Sequence, residues 1–357
     1  MRPALIYGAL LLLSLLAAWV QWTSDPTPDS GDKVVLLAGD LDSLERIEWK
    51  AEDGSAVLTR KSDEHGDYLW IESLSVETRR IKPPPVEKEE GDEAAPGDEA
   101  AEAPPADPAV DPIVNEERIE RRSAFKGSSK GDEVLAAFSP LMALRKLEAS
   151  DPAKLAEIGL DAPKGTITIV RRGKETVLSV GGEAYGTKNR YLRNEETGEV
   201  FLVEETMVKD LQHARTRLAD RSLWSAATPA IAKAVLSIGE TSLELSQKNP
   251  DDEAQTYWAR AGAEGRDEEA TAWMDKLLKL RGVSYVDMEA EDAPKELTPR
   301  LSVELHPTGK GKAERLEVLE DTATGEFYGR SPHTRGLLKM LKSPTRSAVE
   351  DAAPLLK

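Results

Sequence analysis

The sequence predicts an α+β fold, in which an N-terminal transmembrane helix is followed by two tandem, diverged sheet-plus-helix repeat units. Three observations predict it. Ala4 to Val20 is a run of 17 residues without a charge. The order strands, helix, strands occurs twice along the 357-residue chain. The stretch "LMALRKLEASD" at 141–151 is echoed by "LLKLRGVSYVD" at 277–287, so that Leu141, Leu144, Arg145 and Asp151 fall on Leu277, Leu280, Arg281 and Asp287. A repeat of this length has to be found before a fold class is assigned, because each copy is then one structural unit.

The first element is "MRPALIYGALLLLSLLAAWVQW". As a helix its uncharged run rises about 25 Å, close to the ~30 Å hydrocarbon core once Trp19 and Trp22 sit at the interface. The rival reading is a cleaved signal peptide, but Trp19 stands where cleavage wants a small residue. Arg2 and the terminal amine are the only positive charges ahead of the run. The positive-inside rule therefore keeps the N-terminus in the cytoplasm and sends everything after Thr23 outside. The expected location is the inner (cytoplasmic) membrane, crossed once by residues 4–20, with the bulk periplasmic.

The first unit is expected over 33–220. It opens with β-type runs "RIEWKA" (46–51), "AVLTRK" (56–61) and "DYLWIE" (67–72). A helix is predicted over 130–149, where Val134, Leu135, Phe138, Leu141, Met142 and Leu144 recur near helical spacing. A short second helix follows over 150–163, opened by Ser150/Asp151 and Pro152 and stopped around Gly159. "GTITIVRR" (165–172) and "ETVLSVGG" (175–182) read as strands. "EETMVKDLQHARTRLAD" (204–220) reads as a helix with Met207, Val208, Leu211 and Leu218 on one side. Residues 221–231 are the expected hinge into the second unit, 232–357. There "AVLSIG" (234–239), "SLELSQ" (242–247) and "QTYWARA" (255–261) precede the second helix, and "PRLSVELH" (299–306) and "ERLEVLED" (314–321) follow it. "TGEV" (197–200) and "TATGEF" (322–327) look like hairpin turns in equivalent places. The tract "RYLRNEETGEVFLVEETMVKDL" that ends the first unit is echoed by "EFYGRSPHTRGLLKML" in the second.

Residues 82–114 interrupt the first unit. From Pro83 to Val114 there are ten acids against one lysine, a net of −9 that is half of the chain's formal −18. Pro, Glu, Ala and Asp without aromatics bury too little surface to offset ordering entropy, so a disordered acidic insert is expected. With no basic face to offset this acidity, nucleic acid is not an expected partner.

Chemistry is scarce. The chain has no cysteine, which removes disulfides, thiolate zinc sites and cysteine nucleophiles together. His65, His213, His306 and His333 have no second histidine at metalloprotease spacing and read as surface or cap residues. "VGGEAYGTK" (180–188) lacks the phosphate-loop order and reads as a turn. No catalytic or metal-binding residue and no cofactor is assigned.

The tract at 151–211 carries a short helix, "GLDAP", a strand, a second strand ending in glycines, a tyrosine-containing strand, "VFLV" and a helix. In this order it resembles the domain of unknown function 4340 family. The second unit departs from it, since "GLDAP" is reduced to "EDAPKELTP" (291–299). The resemblance implies bacterial membrane-anchored proteins that accompany gliding-type ABC transporters, and it implies no catalytic residues.

The expected function is thus a non-enzymatic extracytoplasmic accessory or scaffold subunit, partnered by an ABC-type permease and ATPase or by other envelope proteins. Trp49, Trp70, Tyr257 and Trp258 are candidate partner-contact residues, against the ordinary reading of strand aromatics as core or cross-strand pairs. The alternative is an envelope carbohydrate-binding protein or hydrolase using carboxylates in a cleft between the two units.

Overall fold

A computed structural model describes residues 33–81, 115–148, 151–225, 231–252, 254–309 and 311–357. The expected anchor at 4–20, the acidic insert and residues 226–230 of the expected hinge lie outside the described residues. The fold is mixed and mostly β-sheet, with few helices. Two compact units are formed, Met1–Ile47 with Asp132–Leu211 and Glu48–Gly131 with Gln212–Lys357.

In the first unit β1 (Val34–Leu37) pairs antiparallel with β6 (Leu141–Ala143). A sheet runs from the start of β2 (Leu44–Ala51) through β8 (Gly165–Arg171), β9 (Lys174–Glu183), β10 (Arg190–Asn194), β11 (Val200–Val203) and β7 (Arg145–Leu147). In β8 and β9 alternate residues, Ile167 and Ile169, then Leu178 and Val180, face inward, whereas β11 is buried along its whole length. Helices α2 (Pro152–Glu157) and α3 (Glu205–Gln212) complete this unit, and α1 (Ser129–Ala137) spans the division.

The helix expected over 130–149 ends at Ala137. Pro140 has no N–H to continue the ladder and disfavours helical backbone at Ser139 before it. The apolar residues beyond it turn to period two, with Leu141 and Ala143 buried in β6 and Met142 between them half-buried. Helix α2 matches its prediction: the Asp151 carboxylate accepts the Ala153 N–H, Pro152 sits in the first turn, and Gly159 at φ +68° closes it. The helix expected over 204–220 breaks at His213 into α3 and α4 (Ala214–Arg217).

The second unit contains the run β5 (Asn115–Lys126), β4 (Gly66–Ile81), β3 (Gly54–Asp63) and the end of β2. Strand β3 accompanies β4 only as far as Gly54 opposite Ser75. From there β4 and β5 continue as a two-stranded ribbon to Ile81 opposite Asn115. An eight-stranded sheet follows, in the order β14 (Tyr257–Arg260), β13 (Thr241–Lys248), β12 (Ile231–Ile238), β16 (Leu297–Pro307), β17 (Glu314–Asp321), β18 (Glu326–Arg330), β19 (Leu338–Met340) and β15 (Gly282–Tyr285). One face is covered by α5 (Glu268–Leu278) and α6 (Lys342–Leu355), whose Trp273, Met274, Leu277, Ala348 and Ala352 pack with Leu236, Leu245, Val303 and Val318 of the sheet. The two predicted hairpin turns both form, yet they join different pairs: Asn194–Gly198 leads from β10 to β11, and Asp321–Gly325 leads from β17 to β18.

Gly54 marks a close backbone approach. A Cβ there would stand 2.3 Å from the Leu74 carbonyl oxygen, which is main chain and has no rotamer to escape into. Gly54→Ala is therefore expected to destabilise by about 2–3 kcal/mol, at the upper end of ordinary point mutants. A urea titration of the variant beside the wild type checks it.

Candidate functional site

The polar residues of the second unit converge where β5 ends. The Asp220 N–H donates to the Lys126 carbonyl at 2.9 Å, and Gly127 bridges Ala219, which fixes the loop after α4 beside the strand. Within that frame Lys126 Nζ lies 2.7 Å and His333 Nε2 lies 2.8 Å from Asp220 Oδ2. The Ser222 N–H donates to the other carboxylate oxygen at 2.9 Å. Only 14% of the Lys126 and Asp220 side chains and 12% of the His333 side chain meet solvent. Burial works to raise the Asp220 pKa, but the hydrogen bonds from His333, Lys126 and the Ser222 N–H, with the Lys126 charge, outweigh it and hold the carboxyl far below the usual aspartate range. An ionised carboxylate only accepts, so Nε2 of His333 carries the hydrogen. This nitrogen is thereby occupied, and Lys126 competes for the same carboxylate, which is the arrangement of a structural clamp.

The loop that delivers His333 is over-determined. Ser331 and Thr334 exchange hydrogen bonds, with the Ser331 N–H reaching Thr334 Oγ1 at 3.1 Å and the Thr334 N–H reaching Ser331 Oγ at 3.2 Å. The Ser331 hydroxyl donates to the Leu223 carbonyl at 2.5 Å. Next along the loop, Arg335 adopts φ +54° and lays its guanidinium 4.9 Å above the Tyr68 ring, with Nε 2.6 Å from Asp63 Oδ2. A cavity of about 540 Å³ opens beside these residues, lined among others by His65, Lys126, Lys312, Glu314, His333 and Arg335. Among the described residues no group of three or more His, Cys, Asp or Glu is placed to hold a metal ion.

A second concavity of about 650 Å³ lies along the strands β3 to β5, lined by Val57, Trp70 and Leu74 from the sheet and by Tyr285, Met288 and Leu337 from the later chain. Trp70 is half-buried, stacks edge-on against Tyr68 at 6.2 Å and carries Lys61 Nζ 5.2 Å from its centroid. Met288 is 57% exposed. Glu72, Asp287 and Glu289 against Arg122 give the rim an acidic excess. Tyr285 sits at the back, 6.0 Å from the Phe125 ring, and burial, then the Asp220 charge, push its phenol pKa well above the ordinary value.

The four aromatics singled out from the sequence separate. Trp49 is 2% and Trp258 1% exposed, so both are core residues and are removed from any contact surface. The reason is register: Trp49 follows Ile47 by two on the same buried side of β2, and Trp258 packs with the α5 core. Tyr257 is half-buried and donates its hydroxyl hydrogen to the Glu264 carbonyl at 2.9 Å. Of the four, Trp70 lines the concavity along β3 to β5. His333 departs from its expected surface role because Asp220, 113 positions earlier, draws it in. Lys126, Asp220, Arg335 and Met288 had no sequence signal of their own except the short turn pattern Asp220-x-Ser222.

Among the described residues no helix is long and apolar enough to cross a membrane. No curated protein and no solved structure matches the chain. Residues 130–300, from α1 into β16, match the model of the family described as Domain of unknown function (DUF4340).

Proposed function

We propose that the chain is a membrane-tethered, non-enzymatic accessory or scaffold subunit of the bacterial inner membrane, built by tandem duplication, whose periplasmic part docks another protein in the groove at Trp70. The observation that carries the docking is the groove itself: a sheet floor, a half-buried indole, an exposed Met288 and an acidic rim. Met and Trp give adaptable and rigid apolar contact respectively, a combination suited to a polypeptide. The rim calls for a partner segment that sets Lys or Arg beside an apolar anchor. The ABC-type permease and ATPase implied by the family resemblance are the proposed partners.

Duplication is supported by strand order. The later sheet runs β14-β13-β12-β16-β17-β18-β19-β15, and the earlier strands run β4-β3-β2 and β2-β8-β9-β10-β11-β7. The later edge is closed by β15, the first strand after α5, and the earlier one by β7, the second strand after α1, and Arg145 at the start of β7 matches Arg281 just before β15. The tether is supported by the uncharged run from Ala4 to Val20.

Cross-linking in cells, followed by identification of what co-purifies, tests the reading. Recovery of a permease and its ATPase by the wild type is expected. The double variant Trp70→Ala/Met288→Ala should lose at least about tenfold of that recovery, the effect of removing one hot spot worth ~2 kcal/mol, while remaining folded. Full recovery by the variant would remove the groove from the interface. Retention of an oligosaccharide by the purified protein would turn the assignment to the carbohydrate-binding alternative.

A further inference from the structure

The most exposed large apolar side chain among the described residues is Tyr185, at 104% relative exposure, on the turn between β9 and β10. The turn is rigidly built. The Thr187 N–H donates to the Ala184 carbonyl at 3.1 Å, the Ala184 N–H to the Asn189 carbonyl at 2.8 Å, and Gly186 takes φ +74°. Ala184 beside it is buried, so the backbone is pinned to the unit while the phenol is held wholly in solvent. A full aromatic ring displayed on an ordered tip is an unusual surface feature, and aromatic rings with a polar edge are the side chains that settle at membrane interfaces.

Its place in the first unit says what it meets. Glu183 at the end of β9 lies opposite Arg190, and Arg190 lies opposite Val203 at the end of β11. The next residue, Glu204, takes the Lys33 ammonium at 2.8 Å. Lys33 immediately precedes β1. The Tyr185 turn and the point where the N-terminal chain enters the unit are therefore at one end of one sheet. Lys188 and Arg190 also act electrostatically on Glu205, which places the turn's cations beside that entry point. Between Trp22 and Lys33 stand only the ten residues "TSDPTPDSGD". Fully extended they reach about 35 Å, so this sheet end is held near the bilayer whenever residues 4–20 are inserted. Charge competes little for the role, because Arg190 is paired with Glu183, Lys33 with Glu204 and Lys209 with Glu205, which leaves Lys188, acting on Glu205, as the turn's own cation.

We propose that the Tyr185 turn is a lipid-contact tip that seats the first unit against the headgroup region of the membrane carrying its own N-terminal anchor. It rests on the tethered reading above. The contact orients the unit, so that the tether fixes not only distance but which end faces the bilayer. It is aromatic rather than electrostatic, and it is indifferent to lipid charge and to salt.

The absence of cysteine from the chain allows clean single-site labelling. The full chain is reconstituted into phosphatidylcholine vesicles, with or without phosphatidylglycerol, carrying either a Lys188→Cys or a Thr197→Cys substitution labelled with an environment-sensitive fluorophore. Thr197 lies on the turn between β10 and β11 at the opposite end of the same sheet. The expected result is several-fold stronger quenching by headgroup spin-labelled lipid at position 188 than at 197, equal in both lipid mixtures and lost when Tyr185→Ser is added. Equal quenching at both positions in protein that still floats with the vesicles would overturn the contact and leave the tether standing. Failure to float would overturn the tether and the contact with it. Quenching at 188 that survives Tyr185→Ser would overturn the role of the aromatic ring.

Discussion

Replacing Asp220 with alanine is expected to cost about 3 kcal/mol of folding stability, the low end of what breaking a buried ion pair costs, because a little of each partner still meets water. The loss comes less from the missing attraction than from what is left behind. Lys126 keeps a buried ammonium without a carboxylate, the His333 N–H loses its acceptor, and the Ser222 N–H is stranded in the loop. Lys126→Met combined with Asp220→Leu removes both charges and is expected to recover most of the stability, which a urea titration of the single and double variants decides. The sign of the pH effect follows from the direction of the shift. The Asp220 pKa is lowered on folding, so its contribution is complete above its unfolded value and is lost as pH falls toward the folded one. Wild-type stability should thus drop on acidification below about pH 4, and Asp220→Asn should flatten that part of the curve. Equal acid slopes in the two proteins would mean that the carboxylate is not the clamp described here.

The same residues explain what could be read from sequence. Strands with one wet face announced themselves: "ERLEVLED" alternates, and β17 occupies 314–321 as predicted. The short helix at 152–157 was legible because its signals are local, an Asp151 cap, a proline and a glycine stop. The helix expected over 130–149 was not, since Leu141 and Ala143 fit a strand as well as a helix, and the decisive residue was Pro140. Turns misled in another way. Asn194 and Asp321 each accept main-chain N–H groups two residues on, so "NEETG" and "DTATG" look alike, yet they sit between different strands. The local chemistry specifies a turn without specifying its place in a sheet. The clamp was invisible for the converse reason. Lys126, Asp220 and His333 are ordinary residues individually, and only a separation of 94 and 113 positions closed by the fold makes them a unit. Among the candidate contact residues, Trp49 and Trp258 share a residue type with Trp70 but not its place at the edge of a concavity.

Trp273→Ala is expected to be the most damaging single change, at about 3–5 kcal/mol, the range for truncating a fully buried aromatic. Helix α5 is set by its own start, where Asp267 accepts the Ala270 N–H at 2.9 Å and Glu268 and Glu269 follow in the first turn. That fixes Ala270, Trp273, Met274, Leu277 and Leu278 as an inward stripe. Trp273 adds a directional bond, its indole N–H donating to the Ala348 carbonyl of α6 at 2.8 Å, and the small Ala348 and Ala352 let the two helices approach. Trp273→Phe keeps most of the volume and loses the donor, so about 1–2 kcal/mol is expected from it. Lys276→Ala, which removes the exposed contact to Ser347 and Asp351 on the same helix pair, should stay within about 1 kcal/mol. The order alanine, phenylalanine, Lys276→Ala in denaturation midpoints checks the assignment of this face as core. The comparison also separates fold from function. Trp70→Ala should weaken partner recovery with little change of midpoint, whereas Trp273→Ala should lose recovery only in proportion to the fraction unfolded. If Trp273→Ala abolished partner recovery while the protein stayed folded, the helical face rather than the groove would be where the partner sits.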